Sequence, residues 1–269
     1  MDVGELRIDQ VMDGTARFPA SAVYVEGVKE LGGGKGAADK DWNPHRNLIA
    51  DDGMLELALG GFLVRHGDTV ALVDTGVGLL DAAGFKGGML IDSLAKLGVA
   101  PGDVTDVLFT HLHFDHVGWA TSKGAVVFPN ATYRCHEHDW EHFFGPDDGA
   151  TRKLTPVADR MELWSTDGTI LPGMDTMTAP GHTPGSTIVV LSSGDARAML
   201  LGDVVHCPVE LLDDEWAGLG DVDPALAKRT RNALARELEG TDIPAAAAHF
   251  PGLEFGRLLA GEGTRRWVV

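Results

Sequence analysis

Two cysteines, Cys135 and Cys207, are all the thiol chemistry this 269-residue chain offers. They lack the paired spacing of a zinc finger and are too few for a disulfide framework. Cys207 lies close to a motif residue and is expected to be a buried structural thiol. Long apolar runs are also missing. None reaches the roughly 18 residues that a membrane-spanning helix needs. The N-terminus, MDVGELRIDQV, has neither a basic start nor an apolar stretch, so it does not read as a signal peptide. A cytoplasmic location without membrane association is expected. Basic runs are absent, and the formal net charge is −18. A chain this acidic repels phosphate backbones, which argues against nucleic acid as a partner and against a nuclease. The glycines at 32–36 do not make a phosphate loop, because Lys35 is followed by Gly36 and Ala37 rather than by Ser or Thr. No internal repeat and no low-complexity segment stands out.

What remains is an ordinary globular composition, 44% apolar and 23% charged, long enough for a sizeable core. Strand and helix signals mix along the whole length. Leu55–Leu59 and GGFLVRHGDTVALVDTG (60–76) read as two short strands with a turn at His66-Gly67-Asp68. Residues 88–98 carry a helical pattern ending at Gly98. VTDVLFT (104–110) is β-rich and predicts a buried strand. Further strands are expected at 174–180, 186–193 and 196–202. A helix is expected over 223–239, with Asp223 as N-cap, Pro224 at the first helical position and Gly240 as its stop. AAAAHF (245–250) reads as a short strand between Pro244 and Pro251. The stretch 29–47 reads as a long loop and is a candidate dimer arm.

Chemistry concentrates in FTHLHFDHVG (109–118). His111, His113, Asp115 and His116 fall within six positions just after a predicted strand. Imidazole nitrogen and carboxylate oxygen suit zinc and similar divalent ions. Residues two apart in extended chain point the same way, so His111 and His113 can reach one ion. A turn can send Asp115 and His116 to a second. Without a metal, clustered imidazoles would be costly to bury. Three later residues complete two coordination spheres: His182 in APGHTPGST, Asp203 in LLGDVVH and His249 in AAHFPG. Each sits where a strand is expected to end.

THLHFDH, GHTPGS, Gly202-Asp203 and His249 resemble the metal motifs of the metallo-β-lactamase superfamily, from LVDTG (72–76) to His249. The resemblance implies an α/β fold, an αββα sandwich of two mixed β-sheets with helices outside, formed by residues 1–269 as a single domain. It implies that His111, His113 and His182 hold one divalent ion, that Asp115, His116 and His249 hold the other, and that Asp203 bridges them. Asp74 resembles the acid that orients a ligand histidine. Zinc is the default metal, and manganese, cobalt and iron suit the same ligands.

A bridging aspartate is more typical of lactonases, glyoxalase II, ribonuclease Z and phosphotriesterases than of true β-lactamases. The segments 43–64, 111–119, 202–206 and 248–258 are most similar to lactonase-like and methyl-parathion-hydrolase-like members. The expected activity is therefore hydrolysis of a lactone or other small ester by a hydroxide shared between two metals, with Asp115 and Asp203 as catalytic residues. Alternatives are a phosphotriesterase, a glyoxalase-II-like thioesterase, for which the sequence shows no basic C-terminal site although Arg265 and Arg266 stand near the end, and a non-enzymatic metal-binding scaffold. Lactonases of the family often place a tyrosine near the substrate carbonyl. Here only Tyr24 and Tyr133 exist, and neither lies in a matching motif. Trp119, His206 and Phe144 are expected to line the substrate pocket, weighed against core packing for the aromatic residues and a hydrogen-bonded structural role for His206. His136, His138 and His142, in CHEHDWEHFFG (135–145), are expected on a solvated helix near the site mouth.

Overall fold

A computed structural model describes residues 1–24, 39–145, 149–212, 214–216, 218 and 220–269. The proposed loop at 29–47 therefore lies partly outside the described residues. Its second half, 39–48, forms short 3-10 turns that bury Trp42 against Tyr24 and Trp216.

Two sheets form the centre. Among the described residues the first has nine strands. Its main members are β1 (Leu6–Pro19), β2 (Met54–His66), β3 (Thr69–Val73), β4 (Asp106–Leu108), β5 (Thr132–His136) and β6 (Met161–Trp164), in the order β6-β5-β4-β3-β2-β1. Strands β1 to β3 pair antiparallel, and β3 to β6 run parallel. The second sheet has five strands, β7 (Gly168–Leu171), β8 (Met174–Thr178), β9 (Thr187–Ser193), β10 (Ala196–Leu200) and β11 (Ala245–Ala246), in sequence order.

Side-chain alternation explains the layering. Phe62, Val64, Ala71, Val73 and Leu108 pack against Val189, Leu191, Ala198 and Leu200 between the two sheets. Their neighbours one residue along, Leu63, Leu72 and Val107, point to the opposite face and meet Leu90 and Leu94 of helix α1 (Leu90–Lys96). Ile188 and Met199 likewise face outward, against Leu234, Ala235 and Leu238 of a second helix (Pro224–Leu238). Period-2 strands with both faces apolar must be covered on both sides, and the result is a helix–sheet–sheet–helix stack. Each fully buried leucine or phenylalanine contributes roughly 1.5–3 kcal/mol.

The expected helix at 223–239 is present, and the Asp223 side chain accepts from Leu226 N at 2.9 Å as its N-cap. Two differences stand out. The first strand of the 55–75 hairpin is not short: β2 has 13 residues. Its partner β1, with 14 residues, was not anticipated at all. A register shift between Met12 and Gly14 breaks the alternation, and buried Asp13 stands where an apolar residue would signal a strand. Asp13 is satisfied by the backbone N–H groups of Val77, Gly78, Gly88 and Leu90 and by Trp119 Nε1.

Candidate metal centre

Strand ends deliver the site. The 111–116 loop follows β4, His182 lies in the turn between β8 and β9, Asp203 follows β10, and His249 follows β11. Glycine precedes two of these residues for steric reasons. Gly202 has φ +53°, and a Cβ there would stand 2.8 Å from the Thr110 side chain. At Gly181, φ +136°, a Cβ would stand 2.2 Å from Ala227 N. Only a residue without Cβ lets Asp203 and His182 approach this closely.

The seven residues named from the sequence converge. His111, His113, His182 and Asp203 form one group of potential donor atoms, and Asp115, His116 and His249 form another, with the atoms of each group within 4.8 Å of one another. Asp203 stands between them. Its Oδ2 is 3.1 Å from His249 Nε2 and 3.5 Å from His182 Nε2, while its Oδ1 is 3.2 Å from His116 Nε2.

Outer contacts fix which nitrogen of each imidazole faces inward. His249 Nδ1 donates to the Ala58 carbonyl at 2.8 Å. His182 Nδ1 pairs with Asp221 Oδ1 at 3.0 Å, and His116 Nδ1 with Asp74 Oδ2 at 2.9 Å. Such partners orient metal-binding histidines and leave the second nitrogen free. Asp74 also accepts from Thr110 N and Thr110 Oγ1, each at 2.8 Å. Its backbone is left-handed, φ +61°, a conformation costing a non-glycine residue roughly 1–3 kcal/mol. The position expected for Asp74 is thus observed. Asp221 and the Ala58 carbonyl carry no motif and were not foreseen.

The donor set fits divalent cations. His113 Nδ1 lies 2.9 Å from both His111 Nε2 and His182 Nε2. With the outer nitrogens of His111 and His182 directed at Thr110 Oγ1 and Asp221, lone pairs are crowded together, and a cation resolves the crowding. His116 Nε2 and Asp203 Oδ1 are buried and make no hydrogen bond among the described residues, an expensive condition for polar atoms unless an ion engages them. Burial pushes His113 down to about 3 and His111 well below its ordinary value, so both present unprotonated nitrogen. Burial also opposes charge on His116, but Asp203 and Asp74 outweigh it and raise that ring's pKa. The same carboxylates attract a metal ion.

A cavity of about 360 Å³ opens onto these donors. His113, Asp115, His182, Asp203, His206 and His249 form its polar side, and Ala16, Phe18, Val23, Leu57, Phe85 and Phe114 form much of its apolar side. His206 is therefore at the pocket. Trp119 and Phe144 are not among its lining residues, which corrects both expectations. Trp119 is buried in the outer core and donates to Asp13 Oδ1 at 2.7 Å. Phe144 stacks on Trp140 with ring centres 3.9 Å apart. Its neighbour Phe143 meets the His113 ring, and Phe114, inside the metal motif, supplies the wall. The short helix Glu137–Phe143 carries Asp139. Its carboxylate accepts from Leu112 N, Gly185 N and Thr183 Oγ1 at 2.6–3.1 Å, clamping the 111–116 loop to the His182 turn. His136, His138 and His142 join neither donor group.

A family model described as the metallo-beta-lactamase superfamily matches residues 61–242. The chain belongs to that superfamily. It is 24% identical over 205 residues to an N-acyl homoserine lactonase of Bacillus thuringiensis, covering 68% of this chain and 79% of that one. It is 28% identical over 177 residues to the N-acyl homoserine lactonase AttM of Rhizobium radiobacter, covering 54% and 64%. Among known structures it resembles AidC, a dizinc quorum-quenching lactonase, with TM-score 0.86 and 24% identity over 100% of this chain and 95% of that one. The superfamily hydrolase AbOPH resembles it at TM-score 0.84 and 22% identity, with the same coverage. These likenesses bear out the αββα fold expected for the superfamily.

Proposed function

We propose that this protein is a dinuclear metal-dependent hydrolase of lactones and related esters, with zinc as its metal. The observation that carries the reading is Asp203, one carboxylate set between two groups of imidazole and carboxylate donors. The lactonases among its relatives support the choice of ester over other bonds.

His111, His113 and His182 would hold one ion, Asp115, His116 and His249 the second, and Asp203 both. Two divalent ions so held supply Lewis acidity and a water activated for attack near neutral pH. The chain does the rest. Asp74, Asp221 and the Ala58 carbonyl hold three imidazoles in place before substrate arrives, which avoids reorganisation during the reaction. Asp115 lines the cavity, its Oδ2 3.6 Å from His249 Nε2, so it is placed to pass a proton to a departing alkoxide. Phe18, Leu57, Phe85 and Phe114 exclude water and suit an uncharged apolar substituent on the ester. The thioesterase alternative gains no support from Arg265, which is engaged by Glu239 and Asp214.

The test is a substrate panel with the zinc-loaded protein: aliphatic lactones, N-acyl homoserine lactones, aryl esters, a thioester, a phosphotriester and a β-lactam. Lactone turnover is expected to exceed the others in kcat/KM. Preferential turnover of the phosphotriester or thioester would overturn the substrate assignment.

A further inference from the structure

The apolar wall of the cavity is held from behind by polar groups that the metal chemistry does not use. Strand β1 ends at Pro19, and the chain then makes a short helical turn, Ala20–Val23. Ala22 and Val23 of that turn line the cavity, and so does Gly220. Hydrophobic contact has no direction, so apolar packing alone would let the turn slide. Tyr24, the next residue, supplies direction. Its backbone pairs with Gly218 in an isolated antiparallel bridge. Its ring is fully buried, with its centre 5.5 Å from that of Trp42 and 5.2 Å from that of Trp216. Its hydroxyl donates to Glu210 Oε1 at 2.6 Å.

Glu210 is a fixed anchor. It is fully buried on the short helix Val209–Leu212, and its Oε2 accepts from the backbone N–H of His206 at 3.2 Å. Arg231, buried on the helix Pro224–Leu238, stands 3.5 Å from Glu210 Oε2 and donates to the Trp216 carbonyl at 2.9 Å. One buried ion pair thus ties together three stretches of chain that reach the cavity. The first carries Ala22 and Val23, the second runs from Asp203 to Glu210, and the third holds Trp216, Gly218 and Gly220. A buried pair of this kind is often no more stabilising than apolar packing of equal volume. What apolar packing cannot supply is a fixed distance between the three stretches. Neither Tyr24 nor Tyr133 is among the residues lining the cavity, so Tyr24 acts on the wall and not on the substrate.

We propose that Tyr24 is a positioning residue that sets specificity: through its hydroxyl bond to Glu210 it clamps the Ala20–Val23 turn toward the metal side and limits the bulk of the ester substituent that the cavity admits. This rests on the hydrolase reading above.

The experiment compares zinc-loaded wild type with Tyr24→Phe and Tyr133→Phe. Tyr24→Phe keeps the ring between the two tryptophans and removes only the hydroxyl. Tyr133→Phe is the control. Its hydroxyl lies 3.4 Å from the Ala120 and Phe128 carbonyls, in a core cluster none of whose members lines the cavity. Zinc per chain is measured, then kcat and KM with N-hexanoyl and N-diphenylacetyl homoserine lactone, then calorimetric binding of the two ring-opened acids. For Tyr24→Phe, unchanged zinc content is expected. The ratio of kcat/KM for the diphenylacetyl substrate to that for the hexanoyl one should rise about tenfold, the worth of one hydrogen bond to a charged group. The change should lie in KM rather than kcat, and the relative binding of the two acids should shift the same way. Tyr133→Phe should keep the wild-type ratios. An unchanged or lower ratio in Tyr24→Phe would overturn the proposal. So would an equal rise in Tyr133→Phe, which would mark general loosening, or loss of zinc from Tyr24→Phe, which would make the tyrosine a support of the metal centre. If wild type hydrolyses no ester at all, the hydrolase reading fails. Acid binding then decides the clamp by itself: a shift toward the bulky acid in Tyr24→Phe alone supports it, and an unchanged ratio overturns it.

Discussion

The two sides of the cavity are built on different principles. The metal side is made of short loops hung from strand ends, each loop stapled by a buried carboxylate or carbonyl: Asp74 under His116, Asp221 under His182, the Ala58 carbonyl under His249, and Asp139 between the 111–116 loop and the His182 turn. The apolar side is a patchwork of side chains from β1 (Ala16 and Phe18), the helical turn Ala20–Val23, β2 (Leu57), and Phe85 and Phe114. These make few directional contacts. On the metal side, geometry is dictated by hydrogen bonds that tolerate small error only. On the other, shape and volume suffice, and residues of similar size can be exchanged. The first sets the chemistry and the second sets what is admitted.

This contrast predicts a hierarchy of mutational effects. The largest belongs to the donors. Asp203→Ala or His111→Ala should lower zinc content below two per chain and cut kcat/KM on the order of a thousandfold, the rate equivalent of several kcal/mol; elemental analysis beside kinetics would show it. Next comes Asp74→Asn, which leaves every ligand present but weakens the hold on His116. It should reduce zinc affinity roughly 10–100-fold, read by competition with a chromophoric chelator. Asp139→Ala frees Leu112 N, Gly185 N and Thr183 Oγ1, and should lower stability by about 1–3 kcal/mol in denaturant unfolding. If the metal side were as permissive as its opposite, Asp74→Asn and Asp139→Ala would be neutral. The smallest effect is expected for Phe18→Ala. It should raise KM a few-fold for long-chain esters, with kcat and zinc content unchanged, since it trims only part of an apolar surface worth roughly 25 cal/mol per Å².

The same contrast explains what could be read from the sequence. Metal donors are few residue types at tight spacing, so THLHFDH, GHTPGS and Gly202-Asp203 announced themselves, and the strands leading to them followed from apolar alternation. Asp221 and Ala58 could not be found this way. They act through position alone, one by a side chain in an unremarkable loop and one by a backbone carbonyl. The apolar wall escaped for a related reason. Phenylalanine marks core as readily as pocket, so Phe144 was placed in the wall whereas Trp140 holds it outside, and Phe114 was passed over inside the metal motif. Strand β1, which carries Ala16 and Phe18, was hidden by its irregular register and by Asp13.

The most direct test of a two-metal ester hydrolase is a titration of chelator-stripped protein with zinc, followed by proton release from an N-acyl homoserine lactone. The account predicts negligible turnover without metal and a rise that levels off at two equivalents per chain. Full turnover in the stripped protein, or a plateau at one equivalent, would contradict it.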